Sequence, residues 1–329
     1  MRDELLPPPK RKDADVEVED LPAKKIRIPN VTRIQNNIQK LLKFSTFEPK
    51  HQYWLNTGYR VLNKVLGSRT LGIPYDAIIE VAGIKHSGKT LLCTWLAGLA
   101  QKEGAGIIYV DIENSYDPLW ASRLGLNPAG VVLIKPKLIV AKKKSAMPRL
   151  ESGQAMFQEA ETAMYLLHED GFKKKVVIID SIAMIRTEKQ LDAGRMGQNM
   201  NTGLDRARFL SDTLPEWAGL AANYNTMVLL INQMRHKQGI VFGDPLTAPG
   251  GDALQHACRV QVRMRPCKAG RLLYKGMTVG IIGVIKNIKN KAGGGSIQDR
   301  RCGFVMKFKT TPATIEFMTQ EVAEQRIKA

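Results

Sequence analysis

No stretch of the chain approaches the roughly 18 consecutive apolar residues that a membrane-crossing helix needs, so no transmembrane span is implied. The N-terminus is charged and proline-rich and has no apolar centre of the kind a secretory signal carries. Cysteine is scarce. The four, Cys93, Cys258, Cys267 and Cys302, are scattered and form no CxxC pair, which argues for reduced thiols and against a cysteine metal site. No internal repeat is visible. Acids are also short, 31 Asp and Glu against 49 Lys and Arg, which leaves a formal net charge of +18 and a pI near 9.8. That excess points to an anionic polymer as partner, the competing reading being a basic protein that is simply soluble. Apolar residues are plentiful: at 329 residues and 44% hydrophobic, the chain can bury one large core or two modest ones.

Residues 1–29, "MRDELLPPPKRKDADVEVEDLPAKKIRIP", mix both charge signs with prolines and read as a disordered charged arm. Its "KRK" and "KKIR" clusters have the shape of a two-part nuclear import signal, against the reading as solvated tail charge. In "NVTRIQNNIQKLLKF" (30–44), Val31, Ile34, Ile38, Leu41 and Leu42 share one helical stripe behind Asn30 as N-cap. Residues 30–75 are read as this helix and a linker to a main domain at 76–329.

From about residue 76 apolar strand-like runs at 77–82, 106–112, 130–134, 175–180 and 226–232 alternate with helical stretches at 90–102, 152–169 and 203–222. Strands buried on both faces and alternating with helices predict an α/β fold, a mostly parallel central sheet with helices on both faces. Later runs at 258–266, 277–287 and 302–308 come without intervening helices and are expected to extend the sheet in antiparallel fashion, ahead of a short helix at 319–327.

"GIKHSGKT", comprising Gly83, Ile84, Lys85, His86, Ser87, Gly88, Lys89 and Thr90, fits G-x-x-x-x-G-K-[ST] between a strand and a helix that continues through Leu91. Glycines let backbone N–H groups turn inward around phosphate, and the helix N-terminus adds its dipole. ATP and Mg2+ are therefore the expected ligands, with Lys89 on the β- and γ-phosphates and the Thr90 hydroxyl on the metal. Asp180, ending "KVVIID", would complete the metal shell from the edge where ligands gather in such sheets. Asp111 and Glu113 end "GIIYVDIE", and one of them must handle the attacking water of a hydrolase. Period-two alternation puts both on one face, so spacing alone leaves that choice open.

A family resemblance rests on "YVDIENSYDPLWASRLGL", "VVIIDSIAMI" and "INQMRHKQGIVFGDPLTAPGGDAL". Together they resemble bacterial and phage RecA-type recombinases over about residues 76–292. The resemblance implies a RecA-like P-loop ATPase core that polymerises on single-stranded DNA as an ATP-bound filament and pairs it with a homologous duplex, active as a DNA-dependent ATPase when assembled. It implies Glu113 as catalytic glutamate, Asp117 and Trp120 as adenine contacts, and Gln233 as γ-phosphate sensor. Lys289 and Lys291 match a lysine pair that reaches a neighbouring copy's ATP. Two DNA-binding loops are implied. One lies near 188–202, with Arg195, Met196 and Gly197, and with Arg206 and Arg208 on the following helix. The other spans 234–252, with Arg235, Lys237, Phe242, Gly250 and Gly251. This long, irregular glycine-rich loop beyond a phosphate sensor can be ordered by ATP and released after hydrolysis. The resemblance further implies a cytoplasmic, nucleoid-associated protein that touches no membrane.

Four features depart from the family. Only about 37 residues follow Lys291, so the family's separate C-terminal domain is expected to be absent. "LIVAKKKSAMPR" (138–149), with Lys142, Lys143 and Lys144, reads as an insertion. Leu246 and Asp252 replace polar residues usual in the second DNA loop, and His256 replaces an aromatic that relays ATP state between subunits. The alternative function is a hexameric RecA-fold helicase or translocating motor, which would use the same P-loop. A third reading, a DNA-binding mediator without catalysis, is disfavoured by the intact Lys89, Thr90, Glu113, Asp180 and Gln233 set.

Overall fold

A computed structural model of the chain describes residues 53–139, 149–192, 202–236, 246–247, 251–275, 277–292, 301–308 and 313–328. The arm at 1–29, the helix expected at 30–44 and the Lys142–Lys144 run lie outside the described residues. So do Arg195, Met196, Gly197, Lys237, Phe242 and Gly250.

One sheet of nine strands organises the fold: β1 (Ile78–Gly83), β2 (Gly106–Asp111), β3 (Val131–Ile134), β4 (Lys175–Asp180), β5 (Thr226–Gln233), β6 (Val260–Tyr274), β7 (Met277–Asn290), β8 (Arg301–Lys307) and β9 (Thr314–Met318). Their spatial order is β9-β8-β7-β6-β1-β5-β4-β2-β3. The pairs β6–β1, β1–β5, β5–β4, β4–β2 and β2–β3 are parallel, and β7, β8 and β9 add antiparallel neighbours. The α/β architecture with a mostly parallel sheet is thus the one that the alternating runs predict. Two details differ. β6, expected within the antiparallel extension, runs parallel to β1, because a helix at Gly251–Ala257 carries the chain across from β5. β9 has no counterpart in the sequence reading; its alternation of half-buried and buried residues spans only five positions, too few to stand out.

Alternate residues of the central strands feed two cores. On one face Ile79, Val81, Ile107, Tyr109, Val176, Ile178, Leu229 and Ile231 pack with helices α1 (Arg60–Leu66) and α2 (Lys89–Lys102). On the other, Ile78, Ile108, Val110, Val177, Ile179, Val228 and Leu230 pack with α4 (Gly153–Glu169) and α6 (Thr202–Asn223). Between them in sequence stand α3 (Pro118–Arg123) and α5 (Glu188–Asp192); α7 (Gly251–Ala257) and α8 (Gln320–Lys328) follow. A fully buried aliphatic side chain contributes about 1.5–3 kcal/mol, so these two layers carry most of the stability. Residues 53–75, read above as linker, put Leu55, Leu62, Val65, Leu66, Ile73 and Tyr75 into the first core with no exposure. Their elements are too short for periodicity to reveal.

Two expected loops have ordered bases. Leu138 and Ile139 pair antiparallel with Leu150 and Arg149 at the root of the 138–149 insertion. Arg235 and His236 pair with Thr247 and Leu246. The 234–252 segment, read as irregular throughout, is therefore a ribbon at its base, and it ends in the first turn of α7. No helix among the described residues is long and apolar enough to cross a membrane.

Candidate functional site

β1 ends at Gly83 and α2 begins at Lys89, so the intervening turn sits at the carboxyl ends of the central parallel strands. His86 (φ 61) and Gly88 (φ 85) take left-handed backbone conformations that fold the turn into a cradle. Gly83 is needed for close approach: a Cβ there would lie 2.6 Å from both Met264 O and Ser87 Oγ. Ser87 has no exposure, and its hydroxyl has no hydrogen-bond partner among the described residues. Lys89 is 8% exposed and its ammonium donates to Ile84 O at 2.9 Å, across the same turn. Burial pulls its pKa down, against the attraction of Asp180, Glu113 and Cys93.

β4 delivers Asp180 beside this turn. Its Oδ2 accepts from Thr90 Oγ1 at 2.8 Å and from the buried Tyr109 hydroxyl at 3.0 Å. The carboxyl is 2% exposed and its pKa is pushed up to about 6, first by burial, with Glu113 and Asp111 adding to the rise and the two hydrogen bonds opposing it. A buried carboxylate and a hydroxyl on one side of a phosphate cradle form a hard oxygen donor set. Among the described residues no three His, Cys, Asp or Glu gather to hold a metal by themselves. The pair fits Mg2+, which typically takes one or two protein oxygens and completes its shell with water and substrate phosphates.

Glu113 and Asp111 have different surroundings. β2 ends at Asp111 and the chain turns, so the alternation assumed above does not extend to Glu113. Asp111 has no exposure; its oxygens accept from the Ser115 and Tyr116 N–H groups at 2.8 and 2.9 Å, and Lys135 stands 3.7 Å away. It holds the turn. Glu113 is half-buried. Its Oε1 accepts from the Ser181 hydroxyl and, at 2.7 Å, from Gln233 Nε2, and Oε2 makes no hydrogen bond among the described residues. An acceptor oriented by two donors beside a phosphate cradle can take a proton from water.

A cavity of about 270 Å3 opens beside Thr90 and Leu91, walled by Tyr109, Tyr116, Asp117, Trp120 and Phe308 among others. Asp117 caps α3, accepting from Leu119 and Trp120 N–H groups at 2.8 and 3.2 Å. Trp120 meets Phe308 edge-on at 5.8 Å, and the Arg123 guanidinium lies 5.0 Å from its ring centroid. Tyr109, Ser181 and Phe308 were missed from the sequence. Tyr109 and Ser181 adjoin recognised motifs, whereas Phe308 carries no local signal.

The lysine pair stands apart from this site. Lys289 pairs with Gln261, which pairs with Glu80, three residues before Gly83. That is roughly 10 Å back along the strands and two strands across from the chain's own cradle. Lys289 donates to Gln255 O, and Lys291 is exposed. Burial first, then Lys291, lowers the Lys289 pKa.

Of the expected DNA-contact residues, Arg206 is half-buried and donates to Ala183 O, while Arg208 and Arg235 are exposed; Gly251 opens α7. Burial first, then the like charge of Arg235, lowers the Arg206 pKa. Sequence reading also missed a second basic surface. Arg263, Arg265, Lys286 and Arg301 line a groove of about 280 Å3, with Arg263 opposite Lys286 and Lys286 opposite Arg301 across three strands.

The strand, glycine turn and helix, with Lys89 over the turn and Thr90 bonded to Asp180, define a P-loop protein of the parallel α/β class. The family model for the RecA N-terminal domain matches residues 39–298. The chain is 33% identical over 237 residues to Protein RecA of Rhodopirellula baltica, covering 72% of this chain and 56% of that protein. It is 32% identical over 240 residues to Protein RecA of Borreliella afzelii, covering 72% and 59%. It is 29% identical over 262 residues to Protein RecA of Laribacter hongkongensis, covering 80% and 63%. The chain belongs to the RecA family. It spans less than two thirds of the length of these relatives.

Proposed function

We propose that the chain is an ATP-dependent DNA strand-exchange recombinase, assembling as a helical filament on single-stranded DNA and pairing it with a homologous duplex. The observation that carries this reading is the 2.7 Å hydrogen bond from Gln233 to Glu113. It ties an acid beside the phosphate cradle to the last residue of β5, immediately before the 234–252 segment. Whatever the γ-phosphate does to Gln233 is felt by the segment that carries Arg235, Lys237, Phe242, Gly250 and Gly251.

In this reading the cradle from Gly83 to Thr90 and Leu91 binds the phosphates of ATP, Lys89 neutralises the β- and γ-phosphates, and Asp117 and Trp120 hold the base in the neighbouring cavity. Thr90 and Asp180 would hold Mg2+, which when bound polarises phosphoryl oxygens and screens their charge. Glu113 accepts the proton of the attacking water. Lys289 and Lys291 are too far from their own cradle and act on a neighbouring copy's ATP, so hydrolysis is fast only in the assembly. Arg195, Met196, Gly197, Arg206 and Arg208 join the second loop in gripping the single strand, mostly by its backbone and hence with little sequence preference. The four-cation groove on β6, β7 and β8 supplies a second surface for the duplex. The setting is cytoplasmic, on the chromosome.

Electron microscopy with single-stranded DNA and a slowly hydrolysed ATP analogue tests the proposal. Helical filaments are expected. Closed rings would replace this reading with the hexameric motor.

A further inference from the structure

A polar row crosses the sheet behind the nucleotide site, on the face otherwise packed by α4 and α6. Glu80 of β1 stands opposite Gln261 of β6, and Gln261 opposite Lys289 of β7. Asn232 of β5 is diagonal to Glu80, one alternation beyond its direct partner Leu230. Glu80 is 4% exposed and Asn232 has no exposure. Asn232 Nδ2 donates to Glu80 Oε1 and Gln261 Nε2 to Glu80 Oε2, each at 2.7 Å. Both carboxylate oxygens are thus claimed by amides from the strands on either side. Burial raises the Glu80 pKa, against these hydrogen bonds and the attraction of Arg263.

A buried carboxylate is a costly way to join three strands; apolar residues of similar volume commonly stabilise such a position as well or better. What it supplies is a fixed relation between two otherwise separate ends. Asn232 is the chain neighbour of Gln233, which bonds Glu113. Gln261 faces Lys289, whose ammonium reaches the carboxyl-terminal part of α7 at Gln255.

We propose that Glu80 is a positioning residue that couples the phosphate-sensing end of β5 to the Lys289 cation presented to the next copy, so that one site's nucleotide state sets the hydrolytic competence of its neighbour. The inference rests on the reading of Lys289 as acting in trans. A shift of Gln233 moves Asn232. The Glu80 carboxyl, hydrogen-bonded on both oxygens, passes that shift to Gln261 and so to the strand pair that carries Lys289.

Glu80→Gln tests it in the full chain. An amide has one acceptor oxygen in place of two, so one of the two facing amide donors loses its partner while shape is kept. Affinity for a fluorescent ATP analogue should stay within about twofold of the parent. On single-stranded DNA, kcat should fall about tenfold, and the Hill coefficient for ATP should drop to about 1. A purely structural role would lower the melting temperature and leave that coefficient unchanged. Should Glu80→Gln not fold, Gln261→Leu, at a half-buried position, breaks one side of the row and is expected to remove cooperativity likewise. Lys289→Ala is measured in parallel. If it loses hydrolysis while Glu80→Gln and Gln261→Leu keep parental cooperativity, the coupling is wrong and the trans lysine stands. If Lys289→Ala hydrolyses ATP normally, the trans lysine fails and the coupling fails with it. A double variant less impaired than the product of the two single effects supports the coupling, and a multiplicative one overturns it.

Discussion

Replacing Asp180 by Asn should stabilise the nucleotide-free protein and remove its activity. The carboxyl is 2% exposed and its pKa stands near 6 against an ordinary 3.8. Two pKa units at about 1.4 kcal/mol each make its ionised form cost the fold about 3 kcal/mol at neutral pH. The sign follows from proton linkage. Between the two pKa values the folded protein holds the proton more tightly than the unfolded chain, so the penalty is complete above about pH 6 and is relieved as pH falls toward 4. An asparagine oxygen can still accept from Thr90 and Tyr109, and it carries no charge to bury. The variant should therefore exceed the parent by about 2–3 kcal/mol in urea unfolding at pH 7.5, and by about half that at pH 5. Circular dichroism of both proteins at the two pH values reads the difference. Equal stabilities at pH 7.5, or a difference that does not shrink on acidification, would refute the electrostatic account. Mg2+-dependent ATP hydrolysis, measured alongside, should fall at least about a hundredfold, the usual price of a preorganised site held against the fold's own preference.

Lys89→Ala should lower ATP hydrolysis by about a thousandfold, and full DNA-stimulated turnover would displace the phosphate site from this turn. Gln233→Glu sets a second carboxylate where an amide now donates to Glu113 at 2.7 Å. The ratio of single-strand affinities with ATP and with ADP, read by fluorescence anisotropy, should collapse to within about twofold, and a ratio preserved at tenfold or more would free the loop from the sensor. Trp120→Ala removes a wall of the 270 Å3 cavity. It should raise KM for ATP about tenfold with kcat little changed, and an unaltered KM would empty that cavity of the base. Arg265→Ala and Lys286→Ala in the basic groove should each reduce the slope of log affinity against log salt for duplex DNA by about one, whereas unchanged slopes would send the duplex elsewhere.

The elements that build the candidate site were legible because their signals are local. A glycine-rich turn between an apolar run and a helix, and acids ending two other apolar runs, are contiguous in the chain and need no partner to be recognised. The alternation of buried runs with helices likewise announced a parallel α/β sheet, since only strands covered on both faces read as unbroken apolar stretches. What the strands sit beside was not legible. Period two says that Arg263, Lys286 and Arg301 face one side or the other of their strands, and nothing in it says that they fall opposite one another and line a groove. The short elements of residues 53–75 and the five-residue β9 lie below the length at which periodicity is informative.

The sequence by itself determined the chemistry available at the phosphate turn and the class of sheet that carries it, because backbone conformation and hydrophobic period are properties of neighbours along the chain. Only the tertiary structure separated Asp111, saturated by the backbone of its own turn, from Glu113, which answers to Gln233 across the sheet. It alone placed Lys289 away from its own cradle and threaded Glu80 between Asn232 and Gln261. Those distinctions depend on strand order and register, which are settled by packing between residues far apart in the chain.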